Sequence, residues 1–222
     1  MDWENFIIES IQKISGQHTP YQVFSDWISM TAIALQNNCK FIHDKIWEYR
    51  EEIYLSTQKR YNKQEMIRMG EMTGALALLL EEKKCDALGA IYMKSGCGNK
   101  NTGQFFTPYH LSYLNAGLIY ENELKNIDEN DILEVYEPST GGGGMMIALA
   151  QILEEKGINY QKKLHVVAQD LDWNGVFMTY IQLALLGIKA IVVQGDSLAE
   201  PYKRGYDERR VFRTPSEMGM LL

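Results

Sequence analysis

Glu137-Pro138-Ser139-Thr140-Gly141-Gly142-Gly143-Gly144 decides the fold of this 222-residue chain. It follows a short apolar run, Ile132-Leu133-Glu134-Val135-Tyr136, and precedes a helix-like one, Met145 to Leu153. The order predicts strand, glycine turn, helix. In an open α/β sheet such a turn lies at the carboxyl end of its strand, where ligands bind. Glycines admit positive φ and close approach of a ligand to the backbone, at an entropic cost. A nucleotide-like cofactor explains that cost; a flexible connection between strand and helix is the plainer alternative.

Outward from this turn, strand and helix alternate. Helix Gly144 to Lys156 leads to a Val-rich strand, Leu164 to Ala168. Helix Trp173 to Leu186 leads to strand Ala190 to Val193. That alternation predicts a parallel sheet with crossover helices. Upstream the period changes. Phe6, Ile7, Ile11 and Ile14 form one helical stripe, and further helices are expected over Tyr21–Leu35, Phe41–Leu55 and Lys63–Leu80. Pro20 stands where a helix start tolerates it. Lys94 to Thr102 reads as a loop and Leu111 to Tyr120 as a helix. The expected fold is α/β: a helical N-terminal region, 1–95, followed by a partial Rossmann-like sheet, 96–222.

Each of the three strands ends in a carboxylate: Glu137, then Asp170 in Gln169-Asp170-Leu171-Asp172, then Asp196 in Gly195-Asp196-Ser197-Leu198. An acid after the second strand is placed to accept from two ribose hydroxyls. An acid after the third can accept from an adenine amino group. One such acid is often only a cap for the next helix; three beside a glycine turn fit an adenosine-bearing ligand.

Composition narrows the classes. With 45% hydrophobic residues a sizeable core is available, and a formal charge of −7 argues against an indiscriminate polyanion binder. Cys39, Cys85 and Cys97 have no paired spacing, and with four scattered histidines no metal pattern emerges. Reduced thiols, no signal peptide and no apolar run of membrane-spanning length lead to the expectation of a cytoplasmic protein without membrane or metal.

Those motifs together resemble the N6-adenine DNA methyltransferases, particularly the modification subunits of type I restriction systems. Asp86-Ala87-Leu88-Gly89-Ala90-Ile91-Tyr92 is similar to the short helix before the family's cofactor loop. Gly103-Gln104-Phe105-Phe106-Thr107-Pro108 is similar to its G-Q-F-[FY]-T-P segment, the most specific match. The glycine turn and the two acidic segments follow in the family's order, over about residues 86–198. The resemblance implies S-adenosylmethionine as cofactor. It implies that Gln104, Phe105, Phe106 and Thr107 cover its methionine end, with Thr107 on the carboxylate. The amides of Gly141 and Gly143 would approach the same end, within a site that includes Glu137 and Ser139. Asp170 would hold the ribose, Asp196 the adenine amino group, and Leu171 or Trp173 would pack on the adenine. For Phe105 and Phe106 a hydrophobic plug, and for Trp173 a core or surface role, remain open.

The family's catalytic [NDS]-P-P-[FYW], whose side-chain acceptor and proline carbonyl bind the target amino group, occurs nowhere in the 222 residues. Val211-Phe212-Arg213-Thr214-Pro215-Ser216 is the one downstream candidate. If Arg213 stood at the acceptor position it would offer donors only. Only 24 residues follow Leu198, so the expectation is either a truncated sheet or one completed by a partner chain or a second copy. The tail 201–213 holds five basic residues against two acids, either a phosphate-contacting segment or a solvated tail or helix-docking strand. Lys59, Arg60, Lys63 and Arg68 read as a solvated helix face. Three roles therefore stand: a cofactor-binding DNA adenine methyltransferase, a catalytically silent relative acting in assembly, regulation or anti-restriction, and a methyltransferase for small molecules or proteins.

Overall fold

The computed structural model describes residues 1–97, 106–126 and 131–220. Among these, seven helices precede the first strand: α1 (Trp3–Ile14), α2 (Pro20–Asn38), α3 (Lys45–Gln58), α4 (Lys63–Glu82), α5 (Ala87–Lys94), α6 (Tyr109–Ile119) and α7 (Glu121–Asn126). Their starts are chemically marked. Thr19 Oγ1 accepts from the Gln22 amide at the head of α2, and Asn62 with Glu65 forms a reciprocal capping box at α4. α3 begins at Lys45 rather than Phe41, because Asp44 Oδ1 accepts the Trp47 amide and starts the helix there. Phe41 and Ile42 are left outside it and exposed.

The sheet has the order β1-β2-β3-β4, with β1 (Leu133–Glu137), β2 (Leu164–Asp170), β3 (Lys189–Gln194) and β4 (Val211–Arg213). β1, β2 and β3 are parallel, with Val135 beside Val166 and Val166 beside Ala190. Helices α8 (Gly144–Glu155) and α9 (Tyr160–Lys163) connect β1 to β2, and α10 (Trp173–Leu185) connects β2 to β3. This is the Rossmann-like arrangement that the alternating pattern predicts.

β4 departs from it. It runs antiparallel to β3, with Val211 opposite Val193 and Arg213 opposite Ile191. The chain therefore leaves β4 toward the amino end of β3, away from the edge that carries the glycine turn. Arg213 does not occupy a catalytic position at the carboxyl edge. Its guanidinium is held instead by Glu208, with Nη2 donating to Oε1 at 2.9 Å.

One cluster of buried side chains runs from Ile7 and Trp27 in the helices through Val166 and Ala190 in the sheet to Phe212. α10 lies at its centre, buried between α2 and the sheet, which explains why Thr179, Tyr180 and Gln182 are all inaccessible. Among the described residues β1 is one edge of the sheet, and within it only Val135 is buried. α6, packed against α8, exposes Leu111, Leu114, Leu118 and Ile119.

Candidate functional site

At the carboxyl end of β1 the chain turns through Pro138–Gly143 into α8. The turn is tied internally. The Thr140 amide donates to Gln169 O at 3.1 Å, and the Gly143 amide to Thr140 O at 2.8 Å. The Gly141 amide donates to Asp170 Oδ2 at 2.7 Å, while Thr179 Oγ1 donates to Gly141 O at 3.0 Å. Gly141 has φ +55°, and a Cβ there would lie 2.9 Å from the Phe106 ring. Backbone conformation and space thus both require glycine. At Gly142 a Cβ would meet Asp86 Oδ1 at 2.5 Å.

Above this turn is a cavity of about 360 Å³. Asp86, Phe106, Thr107, Ser112, Glu137, Ser139, Thr140, Gly141, Gly142, Gly144, Met145 and Asp170 line it. That volume is within the usual range for small-ligand sites. Among the described residues its walls carry three carboxylates and no lysine, arginine or histidine. Such a lining repels phosphates and favours a cationic ligand. Burial raises the Asp86 carboxyl above the usual carboxylate range, against hydrogen bonds from Gln182 and Gly89 that lower it. Burial also raises Asp170, opposed by the amides of Asp172 and Gly141.

The expected residues divide on this geometry. Phe106, Thr107, Glu137, Ser139, Gly141 and Asp170 come together around the cavity. Phe106 is held edge-on to Tyr92, with ring centroids 5.2 Å apart. Gln104 and Phe105 lie outside the described residues. The amides of Gly141 and Gly143 do not reach outward, since a turn this tight uses them for its own hydrogen bonds. Asp170 points both oxygens at backbone amides, Oδ2 at Gly141 and Oδ1 at Asp172 (2.9 Å). Asp196 and Leu171 are not among the lining residues. Asp196 Oδ1 caps its own turn through the amides of Leu198 and Ala199. Leu171 is exposed, and its carbonyl accepts from Gln194 Nε2. Trp173 stacks on Phe177 and meets Phe212 edge-on, inside an aromatic group between α10 and β4. In the tail, Arg209, Arg210 and Arg213 pair with Asp207, Glu200 and Glu208. These charges are thus self-paired, while Val211 and Phe212 are buried and Arg50 of α3 donates to the Val211 carbonyl, which is the helix-docking strand.

Two residues gain a place that the sequence did not give them. Asp86 caps α5 and forms the cavity floor. Gln182, inaccessible in the middle of α10, donates from Nε2 to Asp86 Oδ1 (3.0 Å) and to Gly142 O (2.6 Å) and accepts the Leu88 amide (3.1 Å). An acid three residues before a glycine in an apolar run is a visible cap signal. A glutamine inside an apolar helix is visible only as an anomaly. Among the described residues no cluster of His, Cys, Asp or Glu is arranged to hold a metal ion, and no helix is long and apolar enough to cross a membrane.

The N-6 DNA Methylase family model matches residues 85–212, more than half of the chain. No curated protein matches at a significant level. Among solved structures, a protein described as a class I S-adenosylmethionine-dependent methyltransferase from Listeria monocytogenes is similar at 15% identity and a TM-score of 0.44, over 78% of this chain and 55% of that one. The methyltransferase subunit of a type I restriction-modification system from Streptococcus thermophilus is similar at 15% identity and a TM-score of 0.47, over 85% and 42%. This chain spans about half the length of these two proteins. The family match takes in every residue described as lining the cavity, from Asp86 to Asp170, and the chain belongs to the N-6 DNA Methylase family.

Proposed function

We propose that this chain is the S-adenosylmethionine-binding part of a DNA adenine-N6 methyltransferase of the restriction-modification kind. The acceptor for the target amino group comes from outside these 222 residues. The observation that carries this reading is the cavity over the glycine turn, lined among the described residues by three carboxylates and a phenyl ring. The phosphates of a nicotinamide dinucleotide or a nucleoside phosphate would be repelled by these carboxylates; an adenosine sulfonium is not. In this reading Asp170, with Glu137 beside it, holds the ribose through the lone pairs its backbone amides leave free, and Phe106 and Thr107 cover the methionine end. When bound, the cofactor supplies an electrophilic methyl group. The chain's own residues bind it, orient it and shield one side from water, and positioning is most of what methyl transfer needs. DNA is the proposed substrate.

Support for a completing partner comes from β1. Ligands in open α/β sheets sit where strand order reverses, between two strands. Here β1 carries the turn, yet has a neighbour on one side only among the described residues. An added strand there would bring a second wall. The second reading, a silent assembly, regulatory or anti-restriction subunit, is favoured by a specific observation. The sequence contains no [NDS]-P-P-[FYW], and Arg213 is engaged by Glu208.

Titration calorimetry with S-adenosylmethionine and S-adenosylhomocysteine tests the cofactor. We expect binding by the chain and its loss on Asp170→Ala, which frees the turn. No heat with either ligand overturns the reading. A radiolabelled methyl assay on mixed DNA is expected to be negative for the chain alone. Transfer without a partner would remove both the need for a completing strand and the silent reading.

A further inference from the structure

α4 buries one face in the core and carries a second apolar face in solvent. Lys63, Ile67, Gly70, Gly74, Leu78 and Glu81 follow one another at steps of three and four residues, so they form a single stripe, and all six are exposed. Ile67 is 47% and Leu78 42% exposed. The two glycines stand inside the helix, where each is less favourable than alanine by about 1 kcal/mol. The fold itself requires neither: their φ is not positive, and a Cβ on either would meet nothing within 4 Å. The charges of the stripe are ordered as well. Lys63 stands at the amino end of α4 and Glu81 at its carboxyl end, and neither joins an ion pair among the described residues. Both are placed against the dipole of their own helix, which favours acids at its start and bases at its end. A face with a cation at one end and an anion at the other does not attract a polyanion. It is complementary to the same face run in the opposite direction.

We propose that this stripe pairs the chain with a second copy of itself, α4 against α4 in antiparallel. Two-fold symmetry about Met72 fixes the register. Gly70 lies opposite Gly74 of the second copy, at a crossing where small residues, glycine or alanine, let two helices approach closely. Ile67 packs beside Leu78 of the second copy, which takes both out of water. Lys63 meets Glu81 of the second copy, and each charge comes to lie at the end of the neighbouring helix whose dipole favours it. The symmetry makes every contact twice. None of the six residues lines the cavity or belongs to β1, so pairing leaves both accessible. A single helix pair is a small interface, and the dimer is accordingly weak and reversible.

Sedimentation equilibrium of the whole chain at low salt, from about 1 μM to 1 mM, reads the association. The wild type is expected to shift reversibly from monomer to dimer across that range. Gly70→Leu is expected to keep its helical circular dichroism, because the single chain has open space there, and to sediment as a monomer. Lys63→Glu and Glu81→Lys each set like charges together at both ends of the seam and weaken pairing roughly tenfold. An equimolar mixture of these two variants restores it, since every end contact then joins a cation to an anion. A wild type that stays monomeric throughout overturns the proposal and leaves the face to a partner of another kind. A dimer indifferent to Gly70→Leu overturns it too, because a different surface, such as the β1 edge, then holds the copies together. So does a mixture that pairs no more tightly than its components, which is incompatible with the antiparallel register.

Discussion

A methyl group added at Gly142 would stand 2.5 Å from Asp86 Oδ1, and the carboxylate cannot retreat because Gln182 and Gly89 hold it. Gly142→Ala is expected to destabilise the fold by about 1–3 kcal/mol, as overpacking does. It should also weaken cofactor binding, because the turn must shift. Gly74→Ala in α4, where nothing lies within 4 Å of the added atom, is the control, expected neutral or stabilising by up to about 1 kcal/mol. Urea denaturation of both variants checks the contrast; an equal response would mean that Gly142 has room. The sequence made the turn legible as glycine-rich, but not which glycine faces what. It also led to an outward role for the Gly141 and Gly143 amides, because donors satisfied inside a turn look the same in sequence as donors left for a ligand. Asp196 illustrates the same limit. An acid after a strand is equally suited to a ligand and to its own next turn, and only the placement of Leu198 and Ala199 decides between them.

Among the elements, β1, β2 and β3 could be read from short apolar runs alternating with helical ones. β4 could not. Three residues carry no period, and its direction depends on partners far away in the chain. Arg50 of α3, 3% exposed, donates from Nη2 to the carbonyls of Glu208 (3.0 Å) and Val211 (2.5 Å) and lies over the Phe212 ring. Gln36 Oε1 of α2 accepts the Arg213 amide at 2.7 Å. Thr214 Oγ1 accepts the Ala190 amide at 2.9 Å. These ties turn the strand back along β3. Arg50→Ala leaves buried carbonyls without a donor and should lower stability by about 2–4 kcal/mol. The midpoint of chemical denaturation reports it. A change under 0.5 kcal/mol would mean that β4 is held by its ladder alone. The early start expected for α3 has a similar origin: Phe41 and Ile42 continue the apolar pattern, and the cap at Asp44 overrides it.

At the scale of the whole molecule, two acids held above their ordinary range make stability depend on pH. In the unfolded chain Asp86 titrates in the usual carboxylate range; in the fold burial raises it. Between those two values the folded state binds the extra proton. Stability from this group is therefore full at acid pH and is lost as pH rises through the folded value. Asp170 acts in the same direction. The melting temperature of Asp86→Asn relative to wild type is expected to climb from pH 4.5 to pH 7.5, since the variant has no charge to desolvate. Scanning calorimetry in that window checks the trend; a flat difference would mean that the carboxyl is not raised. The helical region and the sheet share one cluster of buried side chains, which the change of period near residue 95 does not reveal, because periodicity records which face of an element is apolar and not what covers it. Gln182 joins the two at a single amide, touching α5 through Leu88, the cavity floor through Asp86 and the glycine turn through Gly142. The turn's shape is therefore preorganised in part by Gln182, which is not among the residues lining the cavity. Little conformational entropy is left to lose there on association, and the affinity of the cavity is bought in advance by the folding of α10.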